Sequence, residues 1–241
     1  LNRDKLDMDL ISKHQKLSNN FIQKNIKLLN PALIAAHQTL SEKTIEKLFK
    51  TLDKDAIVKH QKLSPRFINK YYKKLDINLL AKHQNLPLAF IEKNLKKFDM
   101  KILLQTQKLP EDTLQKLLNK DTAPIISKYQ NLTTSFISKN FDSLSKNLLA
   151  KHQKLSEKII RTNLDDFDMT TLSTYQKIPV SLINEYPFMF DWKALSNNPN
   201  ISEGLLNLYH YKLDMSTTLS NIKPSPKKLM FLTETYYNEI P

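Results

Sequence analysis

A chain of 241 residues, 40% of them hydrophobic, is long enough to bury a sizeable core. With no cysteine and a single glycine, Gly204, it has no disulfide, no thiolate metal site, no glycine-rich phosphate loop and no nucleophile elbow. The net charge of +13 is uneven: residues 1–120 carry 24 Lys+Arg against 12 Asp+Glu, and residues 121–241 carry 13 against 12.

In chain order, residues 1–6 are a polar lead-in, and Asp7 opens a 23-residue unit that is rewritten without insertion or deletion. Gln15, Gln38, Gln61, Gln84, Gln107, Gln130, Gln153 and Gln176 fall 23 apart, and a fixed period in this range signals a stacked repeat array. Seven residues before each glutamine stands a short polar side chain: Asp7, Asn30, Asp53, Asp76, Asp99, Thr122, Ser145, Asp168. Asp191 and Asp214 keep the spacing after the glutamine is lost. Such side chains accept from the free N–H groups of a helix's first turn, so the spacing predicts ten N-caps, each opening a helix of about two turns. Apolar pairs behind the cap (Leu10 and Ile11, Leu33 and Ile34, Leu79 and Leu80, Leu148 and Leu149) give that helix a buried face. The next column, Ser12, Ala35, Val58, Ala81, Leu104, Ser127 and Ala150, is mostly small, which suits close approach of stacked helices.

A second cap follows three residues after each glutamine, at Ser18, Ser41, Ser64, Pro87, Pro110, Thr133, Ser156 and Pro179, and Ser202 keeps the spacing after the glutamine is lost. Behind it, apolar positions such as Phe67, Ile68, Tyr71, Tyr72 and Leu75 share one face of a helix running to the end of the repeat. The other face is charged, with Lys24, Lys47, Lys70, Lys93, Lys116 and Lys139 in one column and Lys27, Lys50, Lys73 and Lys96 in the next. Helices this short do not persist alone in water. The expected fold is therefore all-α: an α-solenoid of about ten tandem 23-residue helix-turn-helix repeats, one domain over residues 1–241, regular over about 7–190 and degenerate over about 191–241, where it caps the array.

The pattern loosens at Lys120 to Pro124, where a bend in the superhelix is expected. Beyond Trp192 it decays: Pro199 and Ile222 stand where glutamine is due, and Pro187 interrupts the second helix. Tyr186, Phe188, Phe190, Trp192, Tyr209, Tyr211, Tyr236 and Tyr237 collect there. Terminal repeats must cover an exposed core end, so a cap is expected; an aromatic binding surface is the alternative.

Five histidines, His14, His37, His60, His83 and His152, precede a repeat glutamine, and Tyr129 and Tyr175 take their place in two repeats. A metal needs ligands converging within ~2.0 to 2.2 Å, which equivalent residues of stacked repeats do not provide, so the ring is expected to pack. The glutamines read as a side-chain ladder, each amide satisfying a free carbonyl at the end of its helix and a neighbour's backbone. Those groups cost ~1 to 3 kcal/mol when buried unpaired. Recurrent carboxylates are caps, and no acid/base pair stands out. No catalytic residue, cofactor, metal or small-molecule substrate is expected.

Lysine columns on stacked helices stand ~8 to 10 Å apart, close to the Debye length of ~8 Å at physiological salt. They are the candidate binding surface, and the expectation is a non-enzymatic scaffold that binds another protein. The alternative is nucleic-acid binding through the Lys-rich N-terminal half. It would be sequence-independent, because Arg3, Arg66 and Arg161 are the only arginines for bidentate readout.

The repeat core, His/Tyr-Gln-Lys/Asn-Leu-Ser followed by Phe-Ile, resembles the short tandem repeat of many proteins of giant DNA viruses and some large phages. In that family the core is Tyr-Gln-Leu-Ser-like, with Trp after the cap Asp. The segments KYQNL (Lys128 to Leu132) and TYQKI (Thr174 to Ile178) and the pair Asp191-Trp192 are closest to it. Most repeats here have His in place of Tyr and lack the Trp. The resemblance covers about residues 7–215 and carries over no catalytic residues. It implies a viral origin and a host or viral protein partner, hence an intracellular (host cytoplasm) or virion-associated location. The absence of cysteine fits a reducing interior. No apolar run approaches the ~18 residues of a membrane span, and no signal peptide is visible.

Overall fold

A computed structural model describes residues 6–222. Among these residues are nineteen short α-helices and no strand. The sequence reads as one unbroken domain; the chain divides into two compact units, residues 1–109 and 110–241.

In the N-terminal unit the first helices of successive repeats are α1 (Met8–His14), α3 (Pro31–His37), α5 (Lys54–His60), α7 (Ile77–His83) and α9 (Met100–Thr106). The second helices are α2 (Asn19–Asn25), α4 (Glu42–Leu48), α6 (Pro65–Tyr71) and α8 (Leu88–Asn94). Seven residues make two turns, too short to hold alone. Stacking supplies the stability: α1 lies on α3, α3 on α5, α5 on α7, α7 on α9, and α2 on α4. Ile34, Ile57, Leu80 and Leu103 of the first helices and Ile22, Ile45, Ile68 and Ile91 of the second form the core. Each is worth ~1.5 to 3 kcal/mol when fully removed from water. The deepest positions run one residue later than the sequence pairs suggest. Leu33 and Leu79 are half-buried, whereas Ala35, Val58 and Ala81 are fully enclosed, where a larger side chain would hold the helices apart. This unit is an α-solenoid segment, and its first repeat leaves Leu6, Leu10 and Phe21 exposed.

Each first helix ends at its glutamine. The N–H of Gln38, Gln61 and Gln84 still donates to the carbonyl four residues back, but their backbone is extended, which turns the chain into the second cap. The second helix is shorter than its apolar pattern predicts. Helix α6 stops at Tyr71, and a 3-10 turn, Tyr72–Lys74, returns buried Leu75 to the core just before Asp76. A straight helix would have carried the chain past the next cap.

The C-terminal unit holds second helices α10 (Glu111–Leu117), α12 (Thr134–Asn140), α14 (Glu157–Thr162), α16 (Val180–Glu185) and α18 (Glu203–Tyr209). Its first helices are α11 (Ala123–Tyr129), α13 (Lys146–His152), α15 (Met169–Tyr175), α17 (Trp192–Ser196) and α19 (Met215–Ile222), each stacked on the next. Eight of the ten expected first caps accept a hydrogen bond from their helix's first turn. Thr122 and Ser145 do not. Thr122 is diverted: Asn119 Oδ1 accepts from the N–H groups of Asp121 and Thr122, and the Thr122 hydroxyl donates to the Leu117 carbonyl (2.6 Å). Pro187 falls after α16 has ended and so does not break it.

Candidate functional site

The repeat glutamines are structural side chains with a defined geometry. Gln38 donates to the carbonyls of Ser12 (2.9 Å) and Gln15 (2.7 Å) in the preceding repeat and accepts the Leu17 N–H (3.0 Å). Gln61, Gln84 and Gln107 repeat all three bonds, one repeat further on each time. Gln153 and Gln176 do so in the C-terminal unit, where the Gln130 carbonyl receives Gln153. Gln15 departs from the expected ladder: its side chain is exposed, and it contributes its main-chain carbonyl. The rung expected to vanish at Pro199 is supplied by Asn198, which donates to the carbonyls of Ser173 (2.6 Å) and Gln176 (2.7 Å). Its shorter amide reaches the same pair of groups from one position earlier.

Other polar positions also join repeats. In the column read as merely small, Ser12, Ser127, Ser173 and Ser196 accept the backbone N–H of the next first cap, at 2.9 to 3.2 Å. Where the column holds Ala81, Asn78 takes over and accepts the Asp99 N–H (2.8 Å). The first residue of a second helix does the same for the next second cap: Asn19 for Ser41, Glu42 for Ser64 and Glu111 for Thr133. No buried side-chain nitrogen or oxygen among the described residues lacks a partner.

The lysine columns are exposed as expected. Lys24, Lys47, Lys70, Lys93 and Lys116 stand in the last turn of α2, α4, α6, α8 and α10. Lys139 is in α12, and Lys27, Lys50, Lys73 and Lys96 lie in the turns that close the repeats. They are not uniformly free cations. Lys47 donates to Gln23 of the preceding repeat (3.0 Å), and Lys70 forms an ion pair with Glu46 (3.0 Å). The Glu46 carboxylate, with Tyr71, raises the Lys70 pKa. Part of the expected stripe is thus neutralised by the scaffold itself.

The histidines correct the packing expectation. His14, His37, His60, His83 and His152 are all exposed, on the turn that carries the ladder, at the opposite end of the hairpin from the Lys24 column. The neighbouring ring position holds Tyr129, under Lys128 Nζ (4.8 Å), and Tyr175, under Lys151 Nζ (5.2 Å). His152 has its pKa lowered by burial first and then by Lys128 and Lys151. No cluster of three or more metal-ligating side chains occurs among the described residues.

In the last repeats the aromatic residues divide between core and surface. Phe190 is buried, whereas Phe188 and Tyr211 are exposed. Trp192 and Tyr209 are in contact, with Lys212 Nζ over the indole (4.8 Å). Tyr236 and Tyr237 lie outside the described residues. No helix among the described residues is long and apolar enough to cross a membrane. No known family, curated protein or solved structure matches the chain.

Proposed function

We propose that the chain is a non-enzymatic helical-repeat scaffold that binds another protein on its second-helix face. One observation supports this above the others. The repeat glutamines, and serine where it stands in the small column, are spent joining repeat to repeat, and the first caps are spent on their own helices. What the array repeats outward is lysine near the end of the second helices from α2 to α12. A partner fitting that face carries acidic side chains at its contact, and host factors or virion components are the partners we propose on the resemblance of the repeat core to viral repeats.

Capture of partners from cell extract on the immobilised chain, compared with Lys47→Glu, Lys70→Glu and Lys93→Glu together, tests the reading. Loss of the acidic partners is expected. An unchanged partner set would remove the lysine face from the function.

A further inference from the structure

The second basic surface is the ladder turn itself. Each ladder amide bridges to the carbonyl of the preceding glutamine at 2.7 to 2.8 Å, so successive turns of the N-terminal unit are held in line. Residues flanking the glutamine must then also form lines, at about the 8 to 10 Å spacing of stacked helices. One line is the ring position, His14, His37, His60, His83; beside it run Lys13, Lys59 and Lys82, and then Lys16 and Lys62, all exposed. The sequence between Asp9 and Glu42 contains no carboxylate, nor does that from Ala56 to Leu75 or from Ile77 to Ile91. Glu42, at the start of the second helix that follows the His37 turn, is engaged by the N–H and hydroxyl of Ser64. Between the first two turns lies a groove of about 600 Å³, lined by Lys13, His14, Lys16, His37 and Thr39 among others.

We propose that this turn edge is a sequence-blind track for single-stranded nucleic acid, with phosphates held by Lys13, Lys16, Lys59 and Lys62 and bases laid against the histidine rings. It is a different surface, and a different partner, from the lysine columns of the second helices. An acidic protein would need only the ammonium groups. A flat exposed ring in four of the first five repeats, at His14, His37, His60 and His83, adds what unpaired bases use, since stacking accepts any base while cations follow the backbone. The C-terminal unit, taken by itself, shows the same alternation: Lys128 covers Tyr129, and Lys151 covers Tyr175 of the following repeat. Histidine and tyrosine, unlike as acids, are both flat rings, and a π-face is what a stacking platform offers. With Arg66 and Arg161 the only arginines among the described residues, base-edge readout is not built in.

Fluorescence anisotropy of the full chain with a labelled oligothymidylate of about 20 nucleotides, from about 50 to 200 mM salt, tests this. The affinity should fall linearly on a log-log plot. Lys13→Gln, Lys16→Gln, Lys59→Gln and Lys62→Gln together should weaken binding at least about tenfold and reduce the slope by about 2 to 3, at roughly 0.7 per single-strand phosphate. Arginine at the same four positions should restore binding. Lys24→Gln, Lys47→Gln, Lys70→Gln and Lys93→Gln, with the same change in charge, should cost at most about threefold. His14→Ala, His37→Ala and His60→Ala should weaken binding about fivefold or more with the slope unchanged. Any one of four results would overturn the proposal: no binding at about 50 mM salt, equal loss in the two lysine sets, failure of arginine to rescue, or tighter binding of duplex or of polyglutamate than of the single strand. Because the protein-binding reading rests on the second-helix lysines, either can fail without the other.

Discussion

Replacing Gln84 with Ala removes three hydrogen bonds at once. The carbonyls of Val58 and Gln61 lose donors at 2.7 and 2.8 Å, and the Leu63 N–H loses its acceptor at 3.1 Å. Each buried backbone group left unpaired costs ~1 to 3 kcal/mol. Water entering the vacated space recovers part of this, so a loss of about 3 kcal/mol is expected, a large share of the ~5 to 15 kcal/mol that holds a domain together. Lys93→Ala, at an exposed surface position, should change stability by no more than ~0.5 kcal/mol. Urea unfolding followed by circular dichroism measures both. Gln84→Met, which restores volume without the amide, separates packing from hydrogen bonding and should stay close to Gln84→Ala. Gln84→Glu should lose further stability as pH rises through the carboxylate range, because the ionised group would face two carbonyl oxygens. Equal midpoint shifts for Gln84→Ala and Lys93→Ala, or full rescue by methionine, would refute the reasoning.

Asn198→Ala should destabilise the C-terminal unit by about 2 kcal/mol, since two carbonyls of the preceding repeat lose their donor. Asn197→Ala, at the exposed neighbouring position, should cost ~0.5 kcal/mol or less in the same urea series. Asp53→Ala should cost about 1 kcal/mol, because Asp53 caps α5 through the Ala56 N–H (2.6 Å), and Ser145→Ala clearly less, because Ser145 makes no such bond. Acid should loosen the C-terminal unit. The pKa of Asp168 is lowered chiefly by the Thr171 hydroxyl, that of Asp191 by the Ala194 N–H, and that of Asp214 by the Thr217 hydroxyl. Groups depressed in the folded state contribute stability that is full above the free aspartate value of ~3.9 and is lost as pH falls through their folded values. Asparagine at all three positions keeps the caps and should flatten that acid transition in a circular dichroism titration.

Much of this architecture is legible in the sequence because a 23-residue period without insertions aligns equivalent chemistry. Cap, glutamine and second cap recur at fixed offsets, and residue type alone then states the backbone need. What escaped reading depends on distance rather than type. Asn198 does a glutamine's work from one position earlier, which a strict register hides. The column serines look like small residues until a neighbouring N–H is seen at hydrogen-bonding distance. Thr122 has a capping hydroxyl, but a loop built by Asn119 captures it first. The second helix ends early at Tyr71 because the chain must return to Asp76, a three-dimensional constraint that apolar spacing does not encode. For the candidate surfaces, the lysines were visible as columns. Their pairing across repeats, as in Lys70 with Glu46 24 residues back, was not, and neither was the exposure of the histidines.

Amide hydrogen exchange at the residue two positions after each glutamine tests the stacked ladder most directly. Leu17, Leu40, Leu63, Leu86 and Leu155 lie outside any helix, and their N–H groups donate to a glutamine of the following repeat at 3.0 to 3.1 Å. The account predicts slow exchange at all five, recurring with the repeat, while the preceding turn residues Lys16, Thr39, Lys62 and Asn85 exchange quickly. Exchange at those leucines as fast as in the exposed turn would contradict it.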